Sequence, residues 1–237
     1  MTRRTPIWKA IATSLRSEIV EGLYQQGAKL PTEAVLAMRF GVNRHTVRQA
    51  LKALADEGIV HARRGAGVFV TMTPTDYPIG RRVRFHKNLT DAGRSHAKKV
   101  LLLETRTAQA SEAEALELET GAMVHVYEGL SLMENQPIAL FRSVFPADRL
   151  PDLLGSLRNN PSVTAGLAQS GVSDFTRAST RVNAKLATAT QALHLRIAEN
   201  APILRTISVN TAPDGSPVEV GRTWFSGDKV TLTLSEL

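Results

Sequence analysis

The residues of this 237-residue chain best suited to chemistry with a partner form one short run: Asn43, Arg44, His45, Thr46 and Arg48, with Gln49 and Lys52 just beyond. Most carry guanidinium, imidazole, hydroxyl or amide groups, which can hydrogen-bond phosphate oxygens or base edges. Between them Val47, Ala50, Leu51 and Leu54 recur at intervals of three and four. A helix built on that period turns its apolar stripe inward and leaves the polar groups on the opposite face. A basic helix face alone is usually just solvated. Position separates these residues from that reading, because they stand at the start of the helix, the end that enters a major groove when a helix-turn-helix docks on DNA.

The neighbouring stretches are those needed to hold such a helix. Thr32 can cap a preceding helix, with Pro31 before it and Glu33 at its positive end, and Leu36, Ala37 and Phe40 share a face. Gly41 permits a sharp turn, Val42 plugs between the helices, and Asn43 can cap the second one. Past Gly58, Ile59-Val60 and Val68-Phe69-Val70 flank a loop containing Arg63, Arg64, Gly65 and Gly67. Two apolar strands around a basic, glycine-containing loop predict a wing, whose glycines allow close backbone approach and whose arginines reach phosphates or the minor groove. Residues 30–70 therefore predict a winged helix-turn-helix. A helix over Trp8–Glu21, with Trp8, Ile11, Ala12, Leu15 and Ile19 on one stripe, is expected to pack behind it as scaffold, leaving Lys9 and Arg16 to serve solubility.

Charge is distributed to match. The chain carries a net +7, but residues 1–72 hold 11 basic against 5 acidic residues and residues 100–237 hold 11 against 15. A polyanionic partner belongs with the first part. Residues 73–99, with 7 basic against 2 acidic, could extend that surface or serve another anion. No apolar run approaches the roughly 18 residues of a membrane span, and no signal-peptide core follows the basic start, so a cytoplasmic protein with no membrane partner is expected. The absence of cysteine excludes disulfides and thiol catalysis. His45, His61, His86, His96, His125 and His194 are scattered without metal-ligand spacing, and neither a nucleophile elbow nor a phosphate loop is present, so no metal, no cofactor and no catalytic residue is expected.

The segment 73–82, with two prolines and a glycine, reads as a linker between residues 1–72 and 83–237. Beyond it lies a possible helix near Phe85–Gly93, and then a repeat in which a capped helix is followed by a hairpin. The first copy has a capping box at Ser111 and Glu114 and a turn at Glu134-Asn135-Gln136; the second has Thr188 and Gln191 with a turn at Pro213-Asp214-Gly215. With strands over Lys99–Thr107, Val172–Ala184 and Val230–Leu234, the second domain should be α+β around a mostly antiparallel sheet. Within it arginines stand among apolar residues: Arg84, Arg142, Arg177, Arg181 and Arg222, with Glu219 as a possible carboxylate partner. Residues 177 and 181 are an even number apart and so should share one side of a strand, where convergent guanidinium groups suit phosphate or phosphonate.

Leu-Pro-Thr-Glu at residues 30–33, Phe-Gly-Val-Asn-Arg-His-Thr-Val-Arg-Gln-Ala-Leu at 40–51 and Arg-Arg-Gly-Ala-Gly-Val-Phe-Val at 63–70 resemble the DNA-binding domain of the GntR family of bacterial transcriptional regulators. The resemblance implies DNA contact by Asn43, Arg44, His45, Thr46 and Arg48, with help from Arg63, Arg64, Gly65 and Gly67; Thr32 and Glu33 open the helix before them. Some members carry a base-touching arginine just after the glutamate. Ala34 stands here instead, so operator sequence does not carry over.

The remainder resembles the UTRA effector domain of the HutC-like branch, whose fold is shared with chorismate lyase. Asp76-Tyr77-Pro78, Val83–Leu89 and Arg177–Arg181 are most similar to regulators of phosphonate utilisation. This implies a homodimeric repressor on a two-fold symmetric double-stranded operator, responsive to a small phosphate- or phosphonate-like anion. In branch members that sense sugar phosphates, two strand arginines grip the phosphate, and Gly129 and Ser131 occupy the matching positions. Arg84 falls where those proteins carry a small hydroxyl residue, and Thr176 matches another pocket hydroxyl. The expected ligand set is Arg84, Ser131, Arg142, Thr176, Arg177, Arg181 and Arg222, with Glu219 orienting an arginine. The alternatives are a HutC-like regulator of another catabolic pathway and a lyase-fold enzyme with an attached DNA-binding domain.

Overall fold

The computed structural model describes residues 6–63, 65–71, 74–80 and 96–234. The chain divides into two compact units, Met1–Thr73 and Pro74–Leu237.

In the first unit, α1 (Ile7–Val20), α2 (Glu33–Phe40) and α3 (Arg44–Asp56) precede the hairpin of β1 (Val60–Arg63) and β2 (Gly67–Val70). The four inward positions of α3, Val47, Ala50, Leu51 and Leu54, are buried in one core with Ile11, Leu15, Leu36 and Val70. The Thr32 hydroxyl accepts a hydrogen bond from the Val35 N–H at 3.3 Å, and Asn43 Oδ1 accepts one from the Thr46 N–H at 2.8 Å. Gly41 ends α2 at φ +63°, a left-handed conformation that glycine adopts without strain. Arg16, expected to serve solubility, grips Glu57 and so ties α1 to the end of α3, while Arg39 grips Glu18. Ion pairs this exposed contribute under about 1 kcal/mol each, so the core rather than these straps fixes the helix pair.

The second unit comprises β3 (Thr75–Pro78), β4 (His96–Thr107), α4 (Ala110–Leu116), β5 (Met123–Met133), β6 (Gln136–Pro146), α5 (Leu153–Asn159), α6 (Val163–Gln169), β7 (Thr176–Leu186), α7 (Ala189–Leu195), β8 (Pro202–Thr211), β9 (Pro217–Ser226) and β10 (Val230–Thr233). Strand, helix and hairpin occur twice, as β4-α4-β5-β6 and β7-α7-β8-β9. The antiparallel sheet runs β4-β5-β6-β9-β8-β7, so the two copies meet where β6 pairs β9, with Arg142 opposite Arg222. Helices α4 and α7 cover one face over Val126, Leu130, Leu140 and Val144. Helices α5 and α6 cover the other over Tyr127, Phe141 and Phe145.

Three expectations change here. Thr75–Pro78, assigned to a linker, pairs in parallel with β10, and Tyr77 packs edge-on against Phe225 at 4.6 Å. The box at Ser111 and Glu114 does not form, because Arg106 holds Glu112 through two 2.8 Å bonds and turns its carboxylate back onto the Gln109 N–H at 2.9 Å, starting α4 earlier. Strand β7 begins at Thr176 rather than Val172. The helix expected near Phe85–Gly93 lies outside the described residues.

Gly129 shows how tightly the centre is packed. A Cβ there would lie 2.7 Å from the Lys99 carbonyl oxygen and 2.7 Å from Phe141 Cζ. Gly129→Ala should therefore destabilise the second unit by about 1–3 kcal/mol through overpacking. A urea titration should show a lower midpoint, and an unchanged one would mean that the Phe141 ring can swing aside.

Candidate functional site

Arg44, His45, Arg48 and Gln49 are exposed at the start of α3, as a groove-reading helix requires. The polar groups beside them are partly committed. Asn43 Oδ1 takes both the Thr46 N–H and, at 2.9 Å, the Thr46 hydroxyl, which leaves the Asn43 side-chain N–H groups as its donors. Arg48 lies against Glu33 in a two-bond pair of 2.9 and 2.7 Å, and those hydrogen bonds hold the Glu33 carboxyl below its ordinary range. Since the Arg48 side chain keeps 66% of its exposure, a phosphate or base edge can displace Glu33 at little cost.

In the wing, Arg63 Nε donates to His61 Nε2 at 3.0 Å, and its guanidinium sits 4.6 Å over the Phe69 ring. Gly65 and Gly67 adopt φ +74° and +114°, which explains both glycines. A Cβ on Gly67 would stand 2.8 Å from Lys29 Cε, so the space it leaves is filled by a lysine. Lys29 is exposed, bridges to Phe69, and adds a cation to the wing that no periodicity in the sequence announces. Arg64 lies outside the described residues.

The ligand residues expected in the second unit are divided between the two faces of the sheet. A β-bulge at Ala178 places Arg177 opposite Asn210 but Ser179 opposite Val209 and Arg181 opposite Ile207. The bulge resets the alternation, so Arg177 and Arg181 do not share a side. Arg177 turns to the α5/α6 face with Ser131 and Glu219. Arg181 turns to the α4/α7 face with Arg142 and Arg222, all three lining one cavity. Thr176, adjacent to Arg177 along the strand, points away from it. Arg84 lies outside the described residues.

The α5/α6 face is polar where most buried sheets are not. Ser131, Ser143, Thr206, Ser208, Asn210 and Glu219 are all buried along it. Among the described residues no arginine is held by Glu219. Its carboxylate accepts from the Ser143 hydroxyl at 2.6 Å and from the Asn210 amide at 2.7 Å. The cations stand to either side. Lys98, opposite Ser131 on β4, holds its ammonium 4.9 Å from the Phe141 ring and 5.8 Å from that of Tyr127. Burial pushes the Lys98 pKa down to about 8, against the pull of Glu219. Arg177, opposite Asn210, is the counterpart of Lys98 in the other copy of the repeat, and its Nε is buried without a hydrogen-bond partner among the described residues. Burial raises the Tyr77 pKa, which Arg177 lowers and Glu219 raises, so these groups share one electrostatic neighbourhood.

Lys98 stands near the two positions where the resemblance leads one to look for strand arginines. Gly129 and Ser131 fall on this same face, the Phe141 ring occupies the space beside Gly129, and Lys98 stands over that ring. The cation on this part of the face is therefore carried by β4 and not by β5. The sequence reading does not single out Lys98, and only the strand register sets it on this face. Among the described residues no three His, Asp or Glu side chains are grouped to hold a metal ion, and no helix is long and apolar enough to cross a membrane.

Residues 8–70 match the model of the bacterial regulatory proteins of the gntR family, and residues 91–231 match the UTRA domain. The chain is 35% identical to the Uncharacterized HTH-type transcriptional regulator RB1450 of Rhizobium meliloti (strain 1021), over 96% of this chain and 94% of that one. It is 32% identical to the Probable transcriptional regulator PhnF of Escherichia coli (strain K12), with the same coverage. The crystal structure of PhnF from Mycobacterium smegmatis superposes with a TM-score of 0.65 at 26% identity, covering 96% of this chain and 99% of that one. All three are regulators or their structures rather than enzymes.

Proposed function

The chain belongs to the gntR family of bacterial regulatory proteins, with a UTRA domain behind the winged one, and from that premise we propose that it is a cytoplasmic, ligand-responsive repressor of genes for phosphonate uptake or degradation. A homodimer would set two α3 helices on the halves of a two-fold symmetric operator. A small phosphate- or phosphonate-like anion would bind the α5/α6 face and alter DNA affinity. One observation carries the effector reading: a buried carboxylate, Glu219, stands amid buried hydroxyls with Lys98 on one side and Arg177 on the other. Burying such groups is costly unless something satisfies them, and a ligand oxyanion would meet the open Nε of Arg177 and the ammonium of Lys98. Arg84 remains part of the proposed set.

Glu219 narrows the ligand. A bare anion would be repelled by it, whereas a phosphonate carrying an amino or hydroxyl group would give its donor to Glu219 and its oxyanion to the cations, since each carboxylate oxygen keeps a second lone pair. The test is a gel-shift titration on the DNA upstream of the protein's own gene, with and without 2-aminoethylphosphonate, phosphate and a sugar phosphate. Binding to that DNA, weakened or strengthened by the aminophosphonate, is the expected result; indifference to all three anions would overturn the effector reading.

The Lys98 pKa adds a pH dependence. An oxyanion stabilises the ammonium and so raises that pKa, which means the complex holds more protons than the free protein from about pH 8 upward. Affinity should be flat below that value and fall above it by at most roughly tenfold per pH unit, the limit for one proton. Calorimetry with a phosphate monoester, whose second ionisation near ~6 is complete, should show this fall between pH 7 and 9.5, and constant affinity would place the anion away from Lys98.

A further inference from the structure

We propose that the α4/α7 face carries a second binding site, separate from the polar face, for a small carboxylate or phosphate with an apolar body, and that Arg222 and Arg181 are its cations. The site is a cavity of about 440 Å³ between α4 and the strands, within the usual size of small-molecule pockets. One row of register partners crosses its floor: Glu128, Arg142, Arg222, Ile207 and Arg181. Arg142 and Arg222 are directly opposite each other, an arrangement that costs stability unless negative charge is supplied. Glu128 supplies it for Arg142 through an ion pair. Glu112, at the cavity wall, is consumed by Arg106 and the Gln109 N–H. Neither Arg222 nor Arg181 has an ion-pair partner among the described residues, and the Arg222 Nε is buried without a hydrogen-bond partner. Val144, Ile207, Val209 and Val220 give the lining its apolar part, and the exposed Glu114 at the α4 wall makes no ion pair with either arginine, so the cavity offers two guanidinium groups without an ion-pair partner among the described residues, beside an apolar surface. An oxyanion would lie between Arg222 and Arg181 over Ile207, with its apolar portion on the valines.

The side chains of this cavity and those around Glu219 point to opposite faces of one sheet, so a single small ligand cannot occupy both. Calorimetry of the full chain with phenyl phosphate is the test, on wild type, Arg181→Gln, the double variant Arg181→Gln with Arg222→Gln, and Lys98→Met. Wild type should bind two molecules per chain. The double variant should lose one, Lys98→Met should weaken the other by tenfold or more, and each should leave the remaining event unchanged. Arg181 is exposed on an edge strand, so Arg181→Gln cannot fail for want of folding, and it alone should weaken the affected event at least tenfold. No event in wild type, or a single event indifferent to both arginine variants, would overturn the proposal, whereas a single event lost with the arginines would leave this site standing and overturn the polar-face reading. The proposal also fails on two events indifferent to both arginine variants, or on a double variant that changes only the oligomeric state in sedimentation and so assigns this face to a second copy of the chain.

Discussion

Replacing Arg44 and Arg48 together with alanine will lower operator affinity by about 2–6 kcal/mol, roughly 30-fold to 10⁴-fold, if each reads a base edge at about 1–3 kcal/mol. Thermal stability will barely change. Arg44 is exposed, and the stripe of α3 that packs into the core is Val47, Ala50, Leu51 and Leu54. Arg48 gives up only an exposed pair with Glu33. The effect on DNA is large for the same reason that the effect on folding is small: both guanidinium groups are held at the helix start by a scaffold that does not need them. Operator and unrelated DNA titrated at two salt concentrations separate the possible roles. Loss confined to the operator marks base reading; equal loss on both, with a shallower salt dependence, marks phosphate contact. Unchanged affinity for both would mean that α3 is not the reading helix.

The first unit was legible in the sequence because its signals are local. Caps at Thr32 and Asn43, the turn at Gly41 and the three-and-four spacing in α3 are settled within a few residues, and the structure keeps each of them. What stayed hidden depends on residues distant in the chain. Thr75–Pro78 looks like a linker until β10, more than 150 positions later, pairs with it. Arg177 and Arg181 would share one side of a regular strand, but no local signal marks the bulge at Ala178 that turns them to opposite sides. Lys98 acquires meaning only when β4 pairs with β5 and sets it against Ser131. The repeat was visible in its second capping box, Thr188 with Gln191, which forms as expected, whereas the first copy is displaced by Arg106, a residue outside the motif.

Lys98→Met and Arg177→Gln should each weaken binding of 2-aminoethylphosphonate by about 2–5 kcal/mol, the usual cost of removing one charged partner from a largely desolvated site, which is at least a thirtyfold loss. The two are not equivalent in their consequences. Methionine at position 98 keeps the apolar stem over Phe141 and abolishes the pH dependence above about 8, since the titrating group is gone. Glutamine at 177 should leave that pH dependence in place. Glu219→Gln then distinguishes ligand classes: the amide retains shape and can still meet Ser143, but it no longer attracts an ammonium. Affinity for 2-aminoethylphosphonate should fall while affinity for ethylphosphonate holds or rises, because a repulsive charge has been removed from the neighbourhood of its oxyanion. DNA binding without ligand should survive in all three variants, as the winged unit is untouched. If Glu219→Gln moved both ligands in the same direction, the carboxylate would be a support for Ser143 and Asn210 and not the group that reads the amine.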